Sequence, residues 1–253
     1  HGKILATLFY EPSTRTRFSF ESAMYRLGGH VITAENANEA SSSTKGETLE
    51  DTIRVMNYYA DAIVIRHPET GAAERAAAVS DVPIINAGDG AGQHPTQALL
   101  DLYTIERELG RLDDIHVVIV GDMRYYRAAR SLAYLLGTFK NVTITGVTAP
   151  ELTISEELRE YLKERNITYH ETDTLTEAMK HADVVYQTRI QKERLTPEAY
   201  ARTKGQYIID RSLADSMKDG GIIIHPLPRV GEITPEVDDS PHAVYFKQVG
   251  YGL

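Results

Sequence analysis

The sequence predicts an α/β protein made of two doubly wound parallel-sheet domains. Three observations carry that expectation. Short β-rich apolar runs alternate with helical patterns along the whole chain, and strict alternation of this kind gives parallel sheets covered by helices on both faces. The series restarts near Gly110-Arg111, which divides the chain into units of about 1–109 and 112–253. The residues able to do chemistry follow the expected strands, and ligands of such sheets bind beyond the strands' carboxyl ends.

Taken in order, "KILATLFY" reads as a strand, and "RFSFESAMYRLGG" as a helix stopped by Gly28-Gly29. "HVITA", "DAIVIRH" and "VPIINAG" are strands, separated by the helical runs "TLEDTIRVMNYY" and "GAAERAAAVS". "HPTQALLDLYTIERELG" is a long helix with a proline at its first turn, where the missing N–H costs nothing. The second series has strands at "HVVIVGD", "VTITGV", "TYHET", "DVVYQTR" and "GGIIIHP", and a last strand around "AVYFKQV". Its helices fall at "RAARSLAYLLG", "SEELREYLKERN", "TLTEAMKHA" and near "PEAYARTKG".

Composition narrows the function. With 42% hydrophobic and 25% charged residues, the chain buries a proper core rather than staying disordered. A net charge of -9 argues against a nucleic-acid partner, which calls for a basic stripe. No apolar run approaches a membrane span and no signal peptide is visible, so no membrane is expected and a cytoplasmic location is the default. The absence of cysteine excludes thiolate nucleophiles and cysteine metal sites. The chain opens on "ILATLFY" and stops at "KQVGYGL", and reads as a segment of a longer protein.

The densest chemistry lies in "EPSTRTRFSF", where Ser13, Thr14, Arg15, Thr16 and Arg17 stand between a strand and a helix. A helix start favours acids over arginines in its first turn. Free N–H groups joined by hydroxyls and a guanidinium make a site for a phosphate-like anion; a simple cap followed by solvated arginines is the other reading. "SSSTKGET" around Lys45 lacks the first glycine of a P-loop and reads as a polar surface loop. Arg66 and His67 end a strand, while His94 and Gln97 stand at a glycine-rich junction. A neutral imidazole or an arginine there polarises a carbonyl oxygen, unless the histidine merely caps the helix.

"VVIVGDMRYYR" looks like the first turn of a nucleotide fold, but GxGxxG is absent, so no dinucleotide cofactor is expected. Arg127, Arg189, Gln191, Arg194 and Arg229 follow successive strands. Such a local cation cluster on an acidic protein suits a small substrate bearing phosphate and carboxylates. Neither a metal-ligand trio nor a GxSxG motif is present, so no metal is expected.

"STRTRFSFE", "HPTQALLDL", "TRIQKER" and "HPLPR", in this order, resemble the catalytic chains of the aspartate carbamoyltransferase family over residues 1–253. "STRTR" and HPxQ are shared with the ornithine enzymes; "TRIQKER" and "HPLPR" separate the aspartate ones. Ornithine carbamoyltransferases typically carry a cysteine at the position of Pro226, and an SMG loop that this chain lacks.

The resemblance implies transfer of the carbamoyl group of carbamoyl phosphate to L-aspartate, an early step of pyrimidine synthesis, without a cofactor and with the active site in the cleft between the domains. Residues 1–109 would bind carbamoyl phosphate and 112–253 aspartate. Ser13, Thr14, Arg15 and Thr16 would hold the phosphate. Thr16, Arg66 and His94 would bond the carbamoyl oxygen, and Gln97 with the carbonyls of Pro226 and Leu227 the carbamoyl NH2. Arg127 would take the α-carboxylate of aspartate, and Arg189 with Gln191 the β-carboxylate. Leu227 would also line the aspartate site. Ser41 and Lys45 would reach the neighbouring subunit's site, which implies a homotrimer; regulatory chains are further possible partners. Glu11 would pair with Arg127 and Arg194 when the domains close. Tyr126, Ala128 and Arg130 depart from the family's glycine, threonine and histidine beside Arg127, and the two terminal helices of the family have no counterpart in this sequence.

Overall fold

A computed structural model describes residues 2–35, 46–90, 92–190, 195–203 and 205–253. By its internal contacts the chain divides into residues 1–96 with 252–253, and residues 97–251.

In the first unit the strands are β1 (Ile4–Phe9), β2 (His30–Glu35), β3 (Ala62–His67) and β4 (Ile84–Asp89). Among the described residues they form one parallel sheet ordered β2-β1-β3-β4. Alternation along a strand decides what each face buries. Ala6, Leu8, Ile63 and Ile65 pack with Ile53 of α2 (Leu49–Met56) and Ala73 and Ala76 of α3 (Ala72–Val79). Leu5, Phe9 and Val64 turn the other way and meet Phe20 and Met24 of α1 (Thr14–Arg26). Full burial of each such leucine, isoleucine or phenylalanine stabilises by about 1.5–3 kcal/mol. Gripped from both faces, the strands hold the loops at their carboxyl ends in place.

The second unit holds β5 (His116–Val120), β6 (Thr143–Val147), β7 (Thr168–Thr172), β8 (Val184–Gln187) and β9 (Ile222–Ile224). They pair in parallel in the order β7-β6-β5-β8-β9. One face packs Val117, Ile119, Val184 and Tyr186 against α4 (Pro95–Leu109), α5 (Arg127–Leu136) and α6 (Glu156–Glu164). The other packs Val118, Val120, Val185 and Ile223 against Met179 of α7 (Leu175–Lys180), Ala214 of α9 (Arg211–Asp215) and Tyr245 of α10 (Tyr245–Tyr251). The short helix α8 spans Pro197–Thr203. The contact division falls in the first turn of α4, ahead of the Gly110-Arg111 switch, because Leu102 and Ile105 bury in the second unit's core.

Three local features differ from the sequence expectation. The run "AVYFKQV" is not a strand; from Tyr245 it is helix α10. Tyr245 and Gln248 are buried one turn apart, while Phe246, Lys247 and Val249 face solvent. That spacing belongs to a helix, and exposed apolar residues on its outer face imitated a strand's alternation. Helix α9, capped by the Asp210 carboxylate on the Leu213 N–H at 2.8 Å, was not anticipated. Helix α1 starts at Thr14, so the hydroxyl-arginine cluster forms its first turn rather than a loop before it. Among the described residues no helix is long and apolar enough to cross a membrane.

Candidate active site

In the first unit, β1 delivers the chain through Tyr10 and Glu11 to the start of α1. Ser13 occupies the cap position without bonding a backbone N–H; its hydroxyl bonds that of Thr16 at 2.9 Å. The first turn contains no acid, so its unsatisfied N–H groups and dipole favour an anion from outside. Thr14 and Arg15 are exposed, and Ser13 and Thr16 half-buried. The two arginines have different jobs. Arg17 binds Glu35 at 2.6 Å and Glu21 at 3.6 Å, whereas Arg15 has no acidic partner among the described residues.

Arg66 stands near the end of β3, in register with Phe9. Its guanidinium bonds the Ala87 carbonyl at 3.3 Å and pairs with Glu11 at 3.1 Å, which fixes the plane of the fork. Glu11, expected near Arg127 and Arg194, thus has an ion pair within its own unit. Next to it, His67 lies against the Tyr10 ring at 4.9 Å and accepts the Glu69 N–H on Nδ1; burial lowers its pKa.

The turn from β4 to α4 places His94, which is nearly buried. Asp89 organises this turn: its carboxylate accepts from Gly71 N at 2.9 Å, Asn86 Nδ2 at 3.1 Å and Gln93 N at 3.4 Å. Gly90 is required here. Its φ is +51°, and a Cβ would stand 2.7 Å from the Pro68 carbonyl oxygen. The unit therefore carries hydroxyls and a cation at a helix start, together with a fixed guanidinium and an imidazole. Those groups suit a phosphate ester with a polarised carbonyl.

In the second unit, β5 and β8 are parallel neighbours that end with Val120 opposite Gln187. Thr188 ties the two ends together. Its hydroxyl donates to the Val120 carbonyl and accepts the Asp122 N–H, both at 2.8 Å. Gly121, with φ +103°, leaves room for this: a Cβ would come within 2.6 Å of the same hydroxyl. Asp122 then accepts the N–H groups of Tyr125 at 2.8 Å and Arg124 at 3.1 Å. Burial raises its pKa despite those bonds, and its Oδ2 has no partner among the described residues. Out of this turn Arg127 opens α5, and Arg189 follows β8; both are half-buried. Of the three departures at this turn, Tyr126 packs its ring against the core, Ala128 is buried, and Arg130 reaches the Arg124 carbonyl at 3.4 Å.

After β9, His225 is buried and shapes the next turn. Its Nδ1 accepts the Leu227 N–H at 2.7 Å and its Nε2 bonds Glu232 at 2.8 Å. Burial pushes Glu232 up, but the bonds from His225 and the Val230 N–H outweigh it and hold the carboxyl below its usual value. Leu227 has φ +55°, a strained backbone for a leucine that this tie maintains, so the Pro226 and Leu227 carbonyls stand on a fixed turn. Arg229 grips both oxygens of Asp238, a structural pairing.

Sequence reading missed one feature. Gln97 donates Nε2 at 2.8 Å to Asp101, which is fully buried and also receives Tyr186 at 2.9 Å and Gln248 at 2.6 Å. Burial pushes the Asp101 carboxyl up to about 7 against the pull of these three donors. Ser41, Lys45, Gln191 and Arg194 lie outside the described residues.

Two family models match. "Aspartate/ornithine carbamoyltransferase, carbamoyl-P binding domain" covers residues 1–107, and the corresponding "Asp/Orn binding domain" covers 113–253. Aspartate carbamoyltransferase 3, chloroplastic, of Pisum sativum is 54% identical over all of this chain, which spans 65% of that relative's length. The aspartate carbamoyltransferase catalytic subunit of Methanocaldococcus jannaschii is 55% identical, and 82% of it is covered. The solved catalytic subunit of M. jannaschii aspartate transcarbamoylase superposes with a TM-score of 0.91, covering 100% of this chain and 82% of that one, at 55% identity. Aspartate transcarbamoylase from Trypanosoma cruzi, solved with N-(phosphonacetyl)-L-aspartic acid, superposes with a TM-score of 0.93, covering 100% of this chain and 80% of that one, at 42% identity. The T. cruzi protein has also been solved with carbamoyl aspartate and phosphate.

Proposed function

This chain belongs to the aspartate/ornithine carbamoyltransferase family, and on that premise we propose that it carbamoylates L-aspartate. The products are N-carbamoyl-L-aspartate and phosphate. The observation that carries the choice of acceptor is the pair Arg127 and Arg189, delivered by the adjacent strand ends of β5 and β8. Two carboxylates need two cationic clamps; the side-chain ammonium of ornithine would be repelled by the second.

Each group then has a task. Ser13, Thr14, Arg15 and Thr16 hold the phosphate at the start of α1. Thr16, Arg66 and His94 donate to the carbamoyl oxygen as it gains charge. Gln97 and the carbonyls of Pro226 and Leu227 hold the carbamoyl NH2. The aspartate amine attacks the carbonyl carbon, the bond from that carbon to the phosphate oxygen breaks, and the departing phosphate takes the amine's proton. Positioning and oxyanion stabilisation suffice, without a protein nucleophile.

The test is phosphate release from carbamoyl phosphate with L-aspartate and L-ornithine in parallel. Release with aspartate alone is expected; release with ornithine instead would overturn the acceptor assignment, and release with neither would overturn the activity. A homotrimer and a cytoplasmic location belong to the same proposal. The family resemblance at Ser41 and Lys45 supports the trimer. Mixing inactive Lys45→Ala and His94→Ala chains should restore part of the activity if a subunit lends Lys45 to its neighbour. Cell fractionation tests the compartment, since the plant relatives are named chloroplastic.

A further inference from the structure

We propose that Asp101 is a positioning residue that sets the amide of Gln97, so that Gln97 presents Oε1, an acceptor, to the carbamoyl NH2, and that Gln248 ties this setting to the turn after β9. The proposal rests on the carbamoyl-transfer reading above.

The orientation of a glutamine amide follows from its partners rather than from its shape. In this network the partners decide every atom. The His225 backbone N–H meets Gln248 at 2.9 Å, and an N–H can only donate, so the atom it meets is Oε1. Gln248 therefore turns Nε2 toward Asp101 Oδ1, which acts as an acceptor. The same oxygen meets the Gln97 amide, which must also present Nε2. Gln97 has one other amide atom left, Oε1, and the NH2 of a carbamoyl group is the donor that matches it.

A cheaper residue would fill the space. An ionised carboxylate, though, accepts on both oxygens and so forces donors upon all three neighbours. Both amides share Oδ1, so asparagine at 101 can keep them by turning its NH2 to the Tyr186 hydroxyl, whereas leucine offers neither amide an acceptor and releases Gln97 to turn over. Protonation of the shared oxygen has a related effect, because the acid becomes a donor there. Tyr186 of β8 is the titratable group facing the carboxyl; burial and the Asp101 charge raise its pKa and keep it a neutral donor. Gln97 of α4 and Gln248 of α10 are the uncharged neighbours. Gln248 makes the arrangement reach further: the carboxylate that orients Gln97 also anchors the base of the Pro226–Leu227 turn through the His225 N–H. Both sets of groups assigned to the carbamoyl NH2 thus hang on one buried carboxyl.

The experiment is a double-mutant cycle read as kcat/KM for carbamoyl phosphate. Asp101→Leu, which removes both acceptor oxygens, should lose about tenfold or more, the order expected for losing one hydrogen bond to a charged group. Added to Gln97→Ala, it should lose little further. Losses that multiply in the double variant would show that Asp101 acts elsewhere and overturn the proposal. A second readout needs neither turnover nor a variant that folds. In the unaltered protein, the side-chain amide resonances of Gln97 should titrate together with the Asp101 carboxyl carbon. Gln97 signals indifferent to that titration would refute the positioning role. If the protein proved inactive but the two signals moved together, the arrangement would stand and the carbamoyl-transfer reading would fall.

Discussion

Replacing Asp101 by asparagine should change how stability depends on pH, by an amount that follows from the structure. The carboxyl is fully buried and its pKa rises from 3.8 to about 7. Between those values the folded protein holds a proton that the unfolded chain has released. A neutral Asp101 therefore contributes stability in full below pH 3.8, and that contribution is lost as pH rises through 7. At about 1.4 kcal/mol for each pH unit, the whole interval amounts to roughly 4 kcal/mol. Asparagine has no proton to lose. Urea unfolding of both proteins at pH 5, 6, 7 and 8 gives the difference directly, because all other titrations cancel. The wild type should lose about 2 kcal/mol relative to the variant between pH 5 and pH 7, and little more above that. Parallel profiles would refute the reasoning, since they would mean that the buried carboxyl is already ionised at pH 5, as it is in the unfolded chain.

Three further outcomes separate the site's groups. Arg15→Ala should lose affinity for inorganic phosphate by calorimetry with little change in Tm, whereas Arg17→Ala should cost about 1–3 kcal/mol of stability because it leaves Glu35 and Glu21 without their cation. His94→Ala should lower kcat by about 10²–10³, the size of one oxyanion donor, while carbamoyl phosphate still binds in equilibrium dialysis. Gly90→Ala should destabilise by about 1–3 kcal/mol in thermal unfolding and lower kcat as well, because the new Cβ would press on the Pro68 carbonyl and shift the turn that carries His94.

Much of the architecture was legible because parallel strands buried on both faces leave unbroken apolar runs, as "AIVI" and "VVIV" do. Element ends were harder. Residues 243–249 looked like a strand because Phe246 and Val249 are apolar yet exposed, and only the burial of Tyr245 and Gln248 exposes the helical period. The candidate site was legible where residue types crowd together, as at Ser13–Arg17, but Arg15 and Arg17 could not be told apart in sequence. Their difference depends on Glu35, which arrives on a neighbouring strand. Asp101 escaped notice for the same kind of reason. One turn from Gln97 it passes for a solvated helix face, and the partners that bury it come from 85 and 147 positions further along.

The start of α1 bears on the lifetime of the protein as well as on its chemistry. A helix that carries Arg15 in its first turn, with no acid there and no side-chain cap, forgoes the internal stabilisation that other helices here obtain, such as α2 with Thr48, Glu50 and Asp51. An anion supplied from solution makes up that shortfall only in folded molecules. At a phosphate concentration about a hundred times its dissociation constant, the folded form gains roughly 2.7 kcal/mol. Proteases that cut transiently opened chains would then cut this protein more slowly where such an anion is plentiful.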